Sequence, residues 1–240
     1  KDNIEIEARF TESARKYTIK FVNGDDVVSK EVAYGEVIVA PEEDPAEYEA
    51  DGYRYTFAGW AGYTAGTTVS GDAEFSAEFS AEAITYTITF EENGGAEVEN
   101  VTYTVLTGAS LEEATKSGYK FDGWYINENL SGSKVTEIKV GEYGNKTLYA
   151  KWIAETDTAY TVEYYYENIY NSEYTQVESK KLSGTTDTEV KVEATEEAHF
   201  TLNSEKSVLS GIVVADGSLV LKVYYARNSY TVTVDGKEGV

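Results

Sequence analysis

Four segments of the chain share one spelling: Tyr17–Phe21 reads YTIKF, Tyr86–Phe90 YTITF, Tyr160–Tyr164 YTVEY and Tyr230–Val234 YTVTV. Their starts lie 69, 74 and 70 residues apart. A chain that recurs at this interval must fold as a row of like modules, each burying a core of its own. Every segment alternates apolar residues with Thr, Lys or Glu, the period of a half-buried strand. A second pattern precedes each of these opening strands: Ile6–Phe10 IEARF, Phe75–Phe79 FSAEF, Leu148–Trp152 LYAKW and Leu221–Tyr225 LKVYY. Positions one, three and five are apolar and end on an aromatic, which places three side chains on one face of a closing strand.

The recurrence divides the chain. Residues 1–12 read as the closing strand of a preceding repeat. Three complete repeats follow at 16–82, 85–154 and 159–227, and residues 229–240 read as the opening strand of another. The joints TESARK, SAEAIT, IAETDTA and ARNS contain no Gly or Pro. Short joints of that kind limit swivelling and predict an elongated, semi-rigid array.

Between opening and closing strands, repeat 2 offers a second strand near 96–105 and then TGASLEEATKSGY. Ser110 with Glu113 spells a capping box and Gly118 a stop, which predicts a helix of two turns. Repeat 1 has a matching acidic insert before Gly52. Repeat 3 reads as strands, with Asp216–Gly217 as a hairpin turn. The predicted class is β-rich α+β: tandem small modules, of which repeats 1 and 2 are each a sheet with one helix on a face.

One further pattern recurs. GYRYTFAGW ends at Trp60 and GYKFDGWY at Tyr125. Strict alternation would send Phe121 and Trp124 to opposite faces of a strand. One extra residue restores both to one side, and glycine tolerates the backbone of such a bulge. Phe57, Gly59 and Trp60 repeat the conflict. With Trp152, these seven residues (Phe57, Gly59, Trp60, Phe121, Gly123, Trp124, Trp152) are read as a core motif. The competing reading makes the Trp an exposed binding platform.

On these residues repeat 2 resembles the Listeria–Bacteroides repeat, the B-repeat of internalin-type surface proteins. The resemblance runs from TITFEENGG through GYKFDGWY to LYAKW. Repeat 1 is similar but has drifted, with Phe79 in place of the closing Trp. Repeat 3 lacks the Gly-Trp signature. Its LSGTTDTEVKV and SLVLKVYYAR resemble a mucin-binding-protein (MucBP) repeat. Both resemblances imply β-grasp-like modules, a secreted or wall-anchored bacterial protein, and no catalytic residues.

Composition narrows the chemistry. Lys plus Arg is 20 against 43 Asp plus Glu, a net charge of −23. Such a surface repels phosphates, so nucleic acid and anionic membranes are poor partners. The chain has no Cys and one His, His199, most simply a strand residue. A zinc site or a His-based triad therefore has almost no material, and no cofactor is expected. The turns Asn23–Asp26 and Glu92–Gly95 hold oxygen ligands without the spacing of a calcium loop, so hairpin chemistry explains them better. Lys20 is a nominal isopeptide donor with no supporting motif.

Tyr160–Tyr174, YTVEYYYENIYNSEY, is the richest tyrosine stretch. Tyr160, Val162, Tyr164 and Tyr166 share one face and Tyr165 takes the other. Tyr165, Tyr170, Asn171 and Tyr174 are the candidate ligand-binding residues, since rigid amphipathic Tyr beside Asn and Glu suits glycans or a protein partner. The sequence thus points to a non-enzymatic extracellular stalk or scaffold with a role in adhesion, whose partners are neighbouring repeats and a host glycoprotein or polysaccharide. A second reading makes repeat 3 a glycan- or mucin-binding module. A third makes the region an accessory module of a secreted polysaccharide-degrading enzyme.

Overall fold

A computed structural model describes residues 4–9, 11–234 and 237–239. Repeat 1 contributes β1 (Lys16–Asn23), β2 (Asp26–Ala33), β3 (Tyr48–Ala50), β4 (Tyr53–Trp60) and β5 (Ala73–Ala83). These form one sheet in the order β2-β1-β5-β4-β3. Opening strand β1 lies beside closing strand β5 and runs parallel to it, with Phe21 opposite Phe75. Parallel neighbours need a long crossover, and residues 24–72 supply it. β1 turns into β2 through a two-residue loop, Gly24-Asp25, with Asn23 opposite Asp26.

Repeat 2 contributes β6 (Tyr86–Glu91), β7 (Val101–Tyr103), β8 (Ala109–Ser110), β9 (Tyr119–Tyr125), β10 (Glu137–Ile138) and β11 (Lys146–Ala154). β6 and β11 pair in parallel, and β9 pairs antiparallel with β11. Repeat 3 contributes β12 (Thr158–Glu167), β13 (Tyr174–Gly184), β14 (Glu189–Lys191), β15 (Phe200–Leu202), β16 (Ser210–Ile212) and β17 (Val220–Arg227). Its sheet has the order β13-β12-β17-β15, with β12 and β17 parallel, and β14 pairs with β16. All three repeats therefore set opening and closing strands side by side. A recurring clamp helps fix the first two. The threonine after the first tyrosine of the opening strand donates its backbone N–H to an Asx side chain just before the closing strand: Thr18 to Asp72 at 2.7 Å, Thr87 to Asn145 at 2.9 Å.

The cores lie on one face of these sheets. In repeat 1, Ile19, Phe21, Ile38, Val69 and Phe75 cluster. In repeat 3, Tyr160, Val162, Val213, Leu221, Val223 and Tyr225 do so, with Tyr164 and Tyr166 packed against them. That is the tyrosine face that alternation predicts.

The helices are the main departure. Among the described residues no helix occurs, so the α half of the α+β expectation gives way to all-strand modules. The reason is visible in repeat 2. Ser110, the expected cap, pairs with Glu137 in the β8–β10 ladder. The Glu112 carbonyl accepts from the Trp124 indole at 2.7 Å, and the Thr115 carbonyl from Ala96 N–H at 2.8 Å. A helix of about two turns is marginal on its own. Tertiary donors here take carbonyls that a helix would have used. The acidic insert of repeat 1 likewise ends in strand β3.

Smaller departures follow the same logic. His199 is not a strand residue: it stands in the turn before β15 with φ +70°. Asp216–Gly217 is a turn, but the strands around it pair elsewhere, β16 with β14 and β17 with β12 and β15. Residues 4–9 form no strand, so the closing strand expected over 1–12 is not seen there; Phe10 lies outside the described residues. β18 (Val232–Val234) exists, but it pairs with β19 (Lys237–Gly239). Asp235, Gly236 and Val240, at the end of the expected opening strand, also lie outside the described residues.

The chain divides into two compact units. The first runs up to Tyr86 and also takes in Thr102–Gly108 and Lys139–Gly144. The second holds Thr87–Val101, Ala109–Ile138 and everything from Asn145 on.

Candidate functional site

Two aromatic constellations are built into the sheets. The first is the Phe-x-Gly-Trp motif. Along β4 and β5 the register shifts between Phe57 and Gly59, so Ala58 has no partner. Along β9 and β11 it shifts beside Asp122, between Gly123 and Phe121. Gly59 has φ +147° and Gly123 φ +139°, backbone that side chains disfavour. The extra residue turns both rings to the same side. Phe57 and Trp60 stand edge-on at 5.4 Å, Phe121 and Trp124 at 5.3 Å. Trp60 packs edge-on against Phe21, and Trp124 lies 4.6 Å from Phe90. Trp124 is fully buried, whereas Phe57, Trp60, Phe121 and Trp152 are half-buried. Trp152 caps the row, 5.4 Å from Phe121, and its indole donates to the Glu92 carbonyl at 2.7 Å. These rings pack on one another and on the core, and Trp124 is the one among them that is fully covered.

The second constellation lies on the outer face of the repeat 3 sheet. Tyr165 on β12 stacks on Tyr224 of β17, with centroids 4.6 Å apart and planes at 16°. Tyr174 at the start of β13 meets Tyr224 edge-on at 5.2 Å. The parallel register sets Tyr165 opposite Tyr224. All three rings are half-exposed. Polar groups rim them. The Tyr165 hydroxyl donates to Glu163 at 2.7 Å, and Asn203 donates to the Tyr174 hydroxyl at 3.0 Å. Lys206 stands over Tyr174 and Lys222 over Tyr165. The hydrogen bond to the Glu163 carboxylate, then partial burial, pushes the Tyr165 phenol up to about 12.

The structure thus brings Tyr165 and Tyr174 together. It does not bring in Tyr170, which is 97% exposed. Asn171 serves its own loop, bonding Asn168 and Glu173. Tyr224 joins the two, and sequence reasoning missed it. The signal was available: position four of the closing strand faces away from the core, like Tyr165.

The Asn23–Asp26 turn closes the β1–β2 hairpin, whereas the polar side chains of the Glu92–Gly95 turn bond to residues beyond it. Asn93 donates to the Ala150 carbonyl at 2.7 Å, and Glu92 accepts from Val98 N–H. Among the described residues no three His, Cys, Asp or Glu side chains converge as a metal would need. Lys20 pairs loosely with Glu74 at 3.8 Å on the surface.

Strand order, recurring aromatic bulge and short connectors define a class: a tandem array of small β-rich repeat modules. Residues 17–85 and 86–151 each match the Listeria–Bacteroides repeat domain, together more than half of the chain. The chain belongs to that repeat family. Two proteins of Evansella cellulosilytica are similar to it. One, named "Putative Gly-rich membrane protein", is 34% identical over 150 residues, 57% of this chain and 16% of that protein. The other, named "Putative membrane protein", is 34% identical over 105 residues, 42% of this chain and 15% of its own length. The chain therefore spans under a fifth of either relative.

Proposed function

We propose that the chain is an extracellular, non-enzymatic repeat region of a bacterial surface protein that serves as a spacer and presenting scaffold. The observation that carries this reading is the same sheet built three times, with two to three residues between one closing strand and the next opening strand. Repeats of this family are typical of surface proteins and generally non-catalytic, and the names of the two relatives place them at a membrane. The pairing of opening and closing strands in the middle of each sheet supports a β-grasp-like module with its helix replaced by loops and short strands. Repeat 3 is read as the MucBP-like member.

A display experiment tests the spacer role. The chain is set between a wall anchor and a distal binding domain on a bacterial surface. Deleting it should lower capture of a large ligand, and an unrelated repeat array of similar length should restore capture. Failure of the unrelated array to restore it would move the reading to specific adhesion.

The tyrosine cluster favours a second reading, in which repeat 3 binds a glycoprotein or polysaccharide through Tyr165, Tyr224 and Tyr174. Stacked half-exposed rings with polar rims suit sugar faces. On a glycan array such binding should survive chelator and high salt, since rings rather than charges carry it. Binding that is abolished by chelator would instead assign it to an acidic turn.

A further inference from the structure

One backbone geometry recurs three times where no catalytic or ligand role uses it. Just before the aromatic that opens β4, β9 and β15 stands a residue with positive φ: Gly52 at +82°, Gly118 at +71° and His199 at +70°. Its carbonyl accepts from the first residue beyond the closing strand, each time at 2.9 Å: Ile84, Glu155 and Asn228. The connector to the next repeat is therefore pinned to this residue, which acts as a seat.

On the two glycine seats something sits. A Cβ at Gly52 would lie 2.1 Å from Val105 Cγ1 and 2.9 Å from Tyr143 Cβ. A Cβ at Gly118 would lie 2.8 Å from Ala215 Cα and 2.9 Å from Thr186 Oγ1. Both pairs are the equivalent turns of the following repeat: the turn after its second strand, and the turn before its closing strand. The turns around Val105 and Tyr143 belong to the same compact unit as Gly52 rather than to the rest of repeat 2. At Gly118 polar contacts complete the fit. Ser117 donates to the Ala215 carbonyl at 3.2 Å, Thr186 N–H to the Glu155 carbonyl at 2.9 Å, and Tyr119 to Asp187. Thr186 is 1% exposed and shares a hydrogen bond with Thr158 at 2.7 Å.

We propose that this seat locks each repeat to the next, and that its occupant is the two-turn end of the following repeat, admitted only where the seat is glycine. His199 carries a side chain where the other seats are bare. Its Nδ1 lies 3.3 Å from the Tyr230 hydroxyl. Repeat 3 thus refuses the lock that repeats 1 and 2 accept, and a repeat placed after it is joined by its connector alone. This goes beyond the spacer reading, because the lock operates whatever the array presents.

Backbone ¹⁵N relaxation on the full chain tests it. In the native chain, repeats 2 and 3 should share one rotational correlation time. Gly118→His, which copies the third seat into the second repeat, should give them separate and shorter times while the core shifts of both repeats persist. Gly94→Ala is the control: it has φ +83° and meets only the flexible Lys116 end, so it carries the backbone cost without the block. Shared tumbling in Gly118→His, or equal release by Gly94→Ala, would overturn the proposal. Should Gly118→His unfold repeat 2, Ala215→Leu fills the seat from the other side, in a turn of repeat 3. Unchanged tumbling of that folded variant would overturn it as well.

Discussion

Trp124 shows how much one side chain carries in a 70-residue module. It is 2% exposed, touches Phe90 and Phe121, and its indole N–H satisfies the Glu112 carbonyl. Removing it opens a large cavity and orphans that carbonyl. Trp124→Ala should cost about 3–5 kcal/mol, much of the stability of a small domain. Denaturant unfolding of repeat 2 measures it, and free quenching of native Trp124 by acrylamide would contradict the burial. Tyr165 gives a prediction of another kind. Its phenol stays protonated because ionisation would set a phenolate beside the Glu163 carboxylate. With its folded pKa raised to about 12 against an ordinary 10, its contribution to stability is complete below pH 10 and is lost as pH rises towards 12. In an ultraviolet titration two tyrosines of repeat 3 should ionise late, Tyr165 through Glu163 and Tyr166 through its burial, and Glu163→Gln should bring Tyr165 alone to lower pH.

At the scale of elements, the strands and the bulge were legible in the sequence, whereas the loss of the expected helix was not. Period-two patterning placed β1, β6 and β12 and the closing strands β5, β11 and β17, because alternation is a local property of a half-buried sheet. The parity conflict between Phe121 and Trp124 located the bulge for the same reason. The segment 110–118 carried a true capping box, yet its carbonyls were claimed by Trp124 and Ala96, partners far along the chain that no local pattern encodes. The tyrosine cluster was half legible for a related reason: alternation showed that Tyr165 faces outward, but only strand pairing shows that Tyr224 lies beside it while Tyr170 does not. The seat at Gly118 was read as a helix stop, which has the same positive φ for another cause. The bulge invites a test of its own. At φ +139° a non-glycine residue is strained by about 1–3 kcal/mol, and a Cβ there would also press on the Lys134 stem at 2.9 Å. Gly123→Ala should therefore destabilise repeat 2 by that order, measured as a shift in its denaturation midpoint. The ion pairs of Lys134 and Lys151 with Asp122, which bridge the bulge, should weaken with it. Those lysines hold the Asp122 carboxyl below its usual range, the Lys134 contact first. The stability it lends is present at neutral pH and is lost as pH falls through that lowered value.

Over the whole molecule, charge is the dominant long-range term. Acids outnumber bases by 43 to 20, so most carboxylates have no cation to pair with. The ion pairs that do form are largely at the surface, such as Arg54–Glu49 and Lys180–Glu178, where each contributes little. Like-charge repulsion in the folded chain therefore outweighs ion pairing, and it acts over distances that salt screens. Two consequences oppose the usual effect of salt on a protein held by salt bridges. Raising sodium chloride from about 0.02 M to 0.5 M, which shortens the Debye length from roughly 20 Å to under 5 Å, should raise the thermal midpoint. Self-association should also become easier, because the same charge keeps copies apart. Thermal melts and sedimentation at the two salt concentrations check both effects. A midpoint that falls with salt would mean that networks such as Lys134–Asp122–Lys151 outweigh the excess of acid, and that the array is held by its pairs rather than strained by its charge.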